Sequence, residues 1–192
     1  MSRHAGETPS ADRPTRRSVR LAGYNYSLQG AYFVTICVQD RLCLFGTIAG
    51  DQVELNEAGR MVHDEWEALP ERFPAVLLDA FVIMPNHLHG IIVIRNPREE
   101  SGEAEVAQRP ALGAIIQAFK SLSTVQYGRH VKSEGWPRYR KRLWQRSYYE
   151  HVIRSGKDLE RIRRYIADNP AGWSTDQENP DAGNGHTSAG QD

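Results

Sequence analysis

Between residues 75 and 94, two apolar β-rich runs, AVLLDAFVIM and HLHGIIVI, are split by Pro85-Asn86. Proline cannot donate to a strand ladder and asparagine favours turns, so the runs are read as a strand pair. Strands this apolar need cover, and the rest of the chain supplies helical patterns to provide it. AYFVTICV (31–38) and LCLFGTI (42–48), joined by the short QDR, read as an earlier hairpin. Residues 56–69 place Val62, Trp66 and Leu69 at helical spacing behind Asn56 as N-cap. Residues 111–127 put Leu112, Ile115, Ile116, Phe119 and Leu122 on one helical stripe. RLWQRSYY (142–149) reads as a last strand. SGKDLERIRRYIADNP (155–170) reads as a short helix, with Ser155 and Asp158 at its start, Leu159, Ile162 and Ile166 as its stripe, and Pro170 as its stop. The expectation is an α+β fold: a ferredoxin-like or RRM-like sandwich with a central antiparallel sheet and helices packed against it.

The ends of the chain lack apolar periodicity. Residues 1–20 read as a disordered basic arm and 174–192 as a disordered polar tail, leaving 21–173 as one domain. Residues 96–110, charged and ending in proline, read as a surface loop. No run approaches the roughly 20 apolar residues of a membrane helix, and the start has no apolar segment of a secretory signal. Cys37 and Cys43 stand in apolar runs without CxxC spacing, as two buried free thiols in a reducing cytoplasm would.

The formal net charge is zero, but its distribution is uneven. Residues 111–164 hold 13 Lys/Arg against four Asp/Glu, whereas residues 40–110 hold six Arg against 13 acids. A basic half is the footprint of a phosphate-binding surface, and an ordinary solvated helix face is the alternative. Within it, Arg138, Arg140, Lys141, Arg142 and Arg146 are interleaved with Trp136, Tyr139 and Trp144, a pattern suited to phosphate contact and base stacking. Trp144 is also a natural core residue.

His87 and His89 stand two apart on an expected strand, so both imidazoles face one side and can reach one metal ion. Hydrogen-bonded histidines on a strand are common too, but two uncompensated ones opening an apolar strand would be costly. Tyr165 and Asn169, spaced i, i+4, share a helix face beside the Ile162/Ile166 stripe that must dock on the sheet. A phenol and an amide oxygen are thereby carried toward the histidines. Tyr148, Tyr149, His63 and His151 lack such partners and read as structural or solvated.

The blocks FVIMPNHLHGIIVI and WQRSYYEHVIRSGKDLERIRRYIADNP, with the opening GYNYSLQGAYFVTICVQDRLCLFG, closely resemble the REP-associated tyrosine transposases, single-tyrosine members of the HUH nucleases. The resemblance spans about residues 20–173. It implies that His87 and His89 hold a divalent metal, Mg²⁺ or Mn²⁺, with Asn169 as third ligand. It implies that Tyr165 is the nucleophile of a single-stranded DNA endonuclease acting through a 5′-phosphotyrosine. It further implies hairpin-forming repeat DNA as partner, and a monomer or homodimer. Two rivals stand beside this reading. One is a structured single-strand binding module that does not cut, which intact Tyr165, His87 and His89 disfavour. The other is an unrelated two-histidine metalloenzyme, which usually needs a carboxylate ligand, and no acid stands near the H-x-H in sequence.

Overall fold

The computed structural model describes residues 30–95 and 110–182, so the basic arm, most of the 96–110 loop and residues 183–192 lie outside the described residues. In chain order the elements are β1 (Gly30–Cys37), β2 (Gly46–Ala49), β3 (Gln52–Leu55), α1 (Glu57–Glu67), the single turn α2 (Leu69–Arg72), β4 (Val76–Ile83), β5 (His87–Ile94), α3 (Leu112–Ser133), β6 (Tyr149–Ile153) and α4 (Gly156–Asp168). The main sheet runs β4–β5–β1–β6, every neighbouring pair antiparallel, and β2 pairs with β3 in a separate two-stranded ribbon. The expected α+β sandwich with a central antiparallel sheet is the observed fold.

Local signals act as expected at several boundaries. The Asn56 side-chain oxygen accepts the Gly59 amide at 2.9 Å, and Ser155 Oγ accepts the Asp158 amide at 3.2 Å, capping α1 and α4. Pro85-Asn86 turns β4 into β5, and the Met84 amide closes the turn on the His87 carbonyl at 2.8 Å.

Three expectations are corrected. The hairpin over 31–38 and 42–48 does not form: β1 is a central strand whose two edges are taken by β5 and β6. The chain instead leaves β1 through a short turn with Asp40 and Arg41 at positive φ, and Leu44 and Phe45 are buried ahead of β2. The last strand begins at Tyr149, not Arg142. Leu143 and Trp144 are both buried in the segment ahead of β6, and the Trp144 indole donates to Ser123 Oγ at 2.9 Å. Cys43 is exposed and Cys37 half-buried, although both are free thiols as expected.

Strand alternation divides the sheet into two chemically different faces. Tyr32, Val34, Ile36, Leu88, Ile92 and Ile94 join Val62 and Trp66 of α1 and Ile115, Ile116 and Phe119 of α3 in the main core. On the other face Phe33 and Ile91 meet Ile162 and Ile166 of α4 in a smaller cluster. Burying such side chains stabilises by about 1.5–3 kcal/mol each, enough to hold α4 on the sheet. Arg163 adds a fork to Asp79 of β4, with Nε and Nη2 at 2.8 and 2.7 Å from the two carboxylate oxygens. That hydrogen-bonded pair holds the Asp79 carboxyl below its usual range. His87 and His89 lie on the α4 face, since Cys37 and Thr35 oppose them in register.

Gly90 interrupts β5 between the histidines and the apolar end of the strand. A Cβ there would lie 2.6 Å from Cζ2 of Trp66, a fully buried indole with no room to retreat. Gly90→Ala is therefore expected to destabilise the fold by about 1–3 kcal/mol in urea denaturation, through overpacking. An unchanged midpoint would show that α1 can shift on the sheet.

Candidate active site

Two imidazoles meet on the α4 face of β5. His87 Nε2 and His89 Nε2 are 3.0 Å apart, and the residues are 0% and 4% exposed. Each ring is tied at its other nitrogen. His87 Nδ1 lies 2.8 Å from Asn86 Oδ1, and His89 Nδ1 lies 2.8 Å from Thr35 Oγ1 on β1. The Asn86 amide nitrogen donates to the carbonyls of Arg41 (3.1 Å) and Glu178 (2.7 Å), which fixes its oxygen toward His87. An amide oxygen only accepts, so His87 carries its proton on Nδ1 and presents Nε2 as a lone pair. Burial lowers the pKa of both histidines, and for His89 the neighbouring His87 lowers it further. Burial thus favours the neutral rings, the form that ligates metals.

From α4, Tyr165 brings its hydroxyl to 3.5 Å from His89 Nε2, and its ring stands edge-on to Phe33 with centroids 5.9 Å apart. It is 47% exposed, so the phenol is open to a substrate while its base is packed. Burial first, and then the Asp176 charge, raise its pKa, while the Asn169 amide opposes them. Asn169 follows the last residue of α4 and is 7% exposed, and its Oδ1 is buried with no hydrogen-bond partner. An orphaned amide oxygen at the histidine site is costly unless it has a cation to coordinate. The sequence pairing of Tyr165 with Asn169, and of both with the H-x-H, is thus brought together in space.

Two contributors went unread in the sequence. In the sequence Asn86 reads only as a turn former. Asp176 falls in the segment from 174 that reads as a disordered tail, yet residues 173–175 form a short 3₁₀ turn and the segment folds back over the histidines. Its Oδ2 lies 3.9 Å from His87 Nε2, and His87, His89 and Asp176 could together hold a metal ion. The only advance signal was the acidity of 174–192, which solvated tails share.

A cleft of about 810 Å³ opens beside these groups, lined by Thr35, His89, Tyr149, Tyr165, Asn169 and Asp176 among others. Tyr149 is 55% exposed and lies edge-on to Phe33 at 6.1 Å. Ser147 and Gln145 also line the cleft, so the 145–147 segment that carries Arg146 forms one wall. Lys120 secures that wall by donating to the carbonyls of Gln145, Arg146 and Ser147. Arg138, Arg140, Lys141, Arg142 and Arg146 are all exposed. Their aromatic companions are less available: Trp144 is core, and Trp136 and Tyr139 lean on Tyr127 with centroids 5.2 and 5.6 Å away. His151 bonds Asp158 at 2.8 Å, the structural part expected of it, and His63 is half-buried beside Asp64 and Glu67.

No family model matches the chain. An uncharacterized protein of Haemophilus influenzae Rd is 41% identical over 175 residues, 84% of this chain and 92% of that protein. A second protein of that organism, described as "Putative REP-associated tyrosine transposase", is 28% identical over 149 residues, 76% of this chain and 73% of its own. Among solved structures, that of a REP-associated tyrosine transposase bound to a REP hairpin aligns with TM-score 0.46 and 22% identity, over 77% of this chain and 70% of that one. No helix among the described residues is long and apolar enough to cross a membrane.

Proposed function

We propose that this chain, which belongs to one family with the 41% identical Haemophilus influenzae protein and has the REP-associated tyrosine transposases as relatives, is a transposase-type nuclease. It cuts and rejoins single-stranded DNA, at hairpin-forming sites, through Tyr165. The observation that carries this reading is the convergence of the Tyr165 hydroxyl, two facing Nε2 atoms and the orphaned Asn169 oxygen at one end of an open cleft.

The residues fit a divalent cation. Two nitrogens 3.0 Å apart, each anchored from behind, leave space for one shared ion, with the buried Asn169 oxygen as a further donor atom at the site. His87, His89 and Asn169 are the residues that would hold Mg²⁺ or Mn²⁺. When bound, the ion supplies positive charge against a non-bridging phosphate oxygen. The chain's own groups account for the rest. The Tyr165 oxygen attacks phosphorus, its proton passes to solvent in the cleft, the P–O3′ bond breaks and the departing 3′ oxygen gains a proton. The product is a 5′-phosphotyrosine and a 3′-OH, and attack by another 3′-OH reverses the sequence. Packing against Phe33 sets the phenol's direction, while its exposure admits the strand. The exposed arginines and Lys141 hold the phosphates on either side.

A single-strand binding module without chemistry would not require the tyrosine beside the histidines. A water-using two-histidine, one-carboxylate enzyme draws support from Asp176, but it would form no protein–DNA bond. The test is incubation of the full chain with a 3′-labelled hairpin carrying single-stranded flanks, plus Mn²⁺, followed by a denaturing gel. A protein-linked DNA band is expected; cutting without such a band rejects the tyrosine mechanism. In parallel, affinity for the hairpin should exceed that for blunt duplex and fall with the logarithm of salt concentration. Equal affinity for both at 0.1–0.2 M salt, roughly physiological strength, counts against a single-strand cleft.

A further inference from the structure

Asp176 has its two carboxylate oxygens assigned to different partners. Oδ1 accepts the Glu178 amide at 2.7 Å, which orients the group, and Oδ2 is left facing His87 Nε2 at 3.9 Å. The segment carrying it is anchored at several points. The Glu178 carbonyl accepts from Asn86 at 2.7 Å, and the Glu178 carboxylate pairs with Arg41 at 3.2 Å. Asn179 donates to the Trp173 carbonyl at 2.9 Å, and the Trp173 ring lies 6.0 Å from that of His87. Asn86 therefore serves twice, orienting the His87 ring and pinning the segment that brings Asp176 to it.

The separations suit a shared ion. Octahedral ligands at about 2.1 Å sit about 3.0 Å apart when adjacent and about 4.2 Å apart when opposite. The two histidine nitrogens are separated by 3.0 Å, and all three candidate donor atoms lie within 4.8 Å of one another. Two imidazoles and an amide are a neutral set, whereas hard divalent ions favour an anionic oxygen.

We propose that Asp176 is a fourth protein ligand, so that the segment after α4 is part of the metal centre. The inference rests on the metal reading above and extends it by one residue and one negative charge. The test is Mn²⁺ titration of the full chain without DNA, following free Mn²⁺ by electron paramagnetic resonance. Asp176→Asn keeps an Oδ1 acceptor for the Glu178 amide, so the turn survives while the charge is lost, and circular dichroism checks this. A tenfold or greater loss of Mn²⁺ affinity is expected for Asp176→Asn, and less than twofold for Asp181→Asn, an exposed carboxylate on the same segment. Wild-type affinity in Asp176→Asn, with binding abolished by His87→Ala, overturns this assignment alone. No Mn²⁺ uptake by the wild-type chain overturns both this assignment and the metal reading it rests on.

Discussion

Tyr165→Phe is expected to abolish strand cutting and the protein–DNA adduct together, a loss of at least about a thousandfold because the attacking atom is gone. The fold should be nearly indifferent. The side chain is 47% exposed, its hydroxyl contact to His89 is long at 3.5 Å, and the ring still packs against Phe33. A stability change within about 0.5 kcal/mol is anticipated, as for most surface substitutions. Mn²⁺ and DNA binding should persist, since no proposed ligand or basic contact is touched. Single-turnover cleavage on a denaturing gel measures the effect. A water-using metalloenzyme would keep appreciable cutting in this variant. Tyr148→Phe and Tyr149→Phe provide the comparison, because Tyr149 also lines the cleft. An adduct lost in either of them and kept in Tyr165→Phe would move the nucleophile to β6.

Replacing His87 and His89 together with alanine should also eliminate cutting, for a different reason, and here Mn²⁺ binding should disappear as well. The substitution is not silent for the fold. Both rings are buried and each satisfies a partner, so their removal leaves Asn86 Oδ1 and Thr35 Oγ1 without those protein partners. A stability loss of about 1–3 kcal/mol per stranded group is expected in chelator, measured by urea denaturation. Hairpin affinity should fall only modestly, because the exposed arginines proposed to carry it are left intact. Normal cutting by the double variant with added Mg²⁺ would show that the site is wrongly placed. Comparison with Tyr165→Phe separates the roles: one variant keeps metal and loses the nucleophile, the other does the reverse.

Much of this arrangement is local in origin, and local patterns are written in sequence. The N-caps at Asn56 and Ser155, the turn at Pro85-Asn86 and the stripes of α1, α3 and α4 depend on residues a few positions apart. The same holds for the two decisive pairings. An i, i+2 spacing puts His87 and His89 on one strand face, and an i, i+4 spacing puts Tyr165 and Asn169 on one helix face. The need to bury Ile162 and Ile166 then brings the faces together. Strand partnership is different, since any exposed β-rich edge can pair with any other. The run 42–48 is adjacent to β1 and apolar enough to pair with it, but β5 and β6 take both of its edges. Trp144 likewise left the strand pattern to fill the core between α3 and the sheet, a choice made by volume.

Asp176 is the clearest case of what tertiary structure alone decided. Nothing within several positions of it suggests chemistry, and its polar, Gly-rich surroundings resemble those of a solvated tail. It reaches His87 only because Asn86 and Arg41, 92 and 137 positions upstream of Glu178, hold that segment down. The sequence by itself determined which side chains could form a tyrosine and two-histidine site. Only the folded chain decided that a carboxylate stands beside it, because hydrogen bonds between distant backbone and side-chain groups leave no periodicity to read.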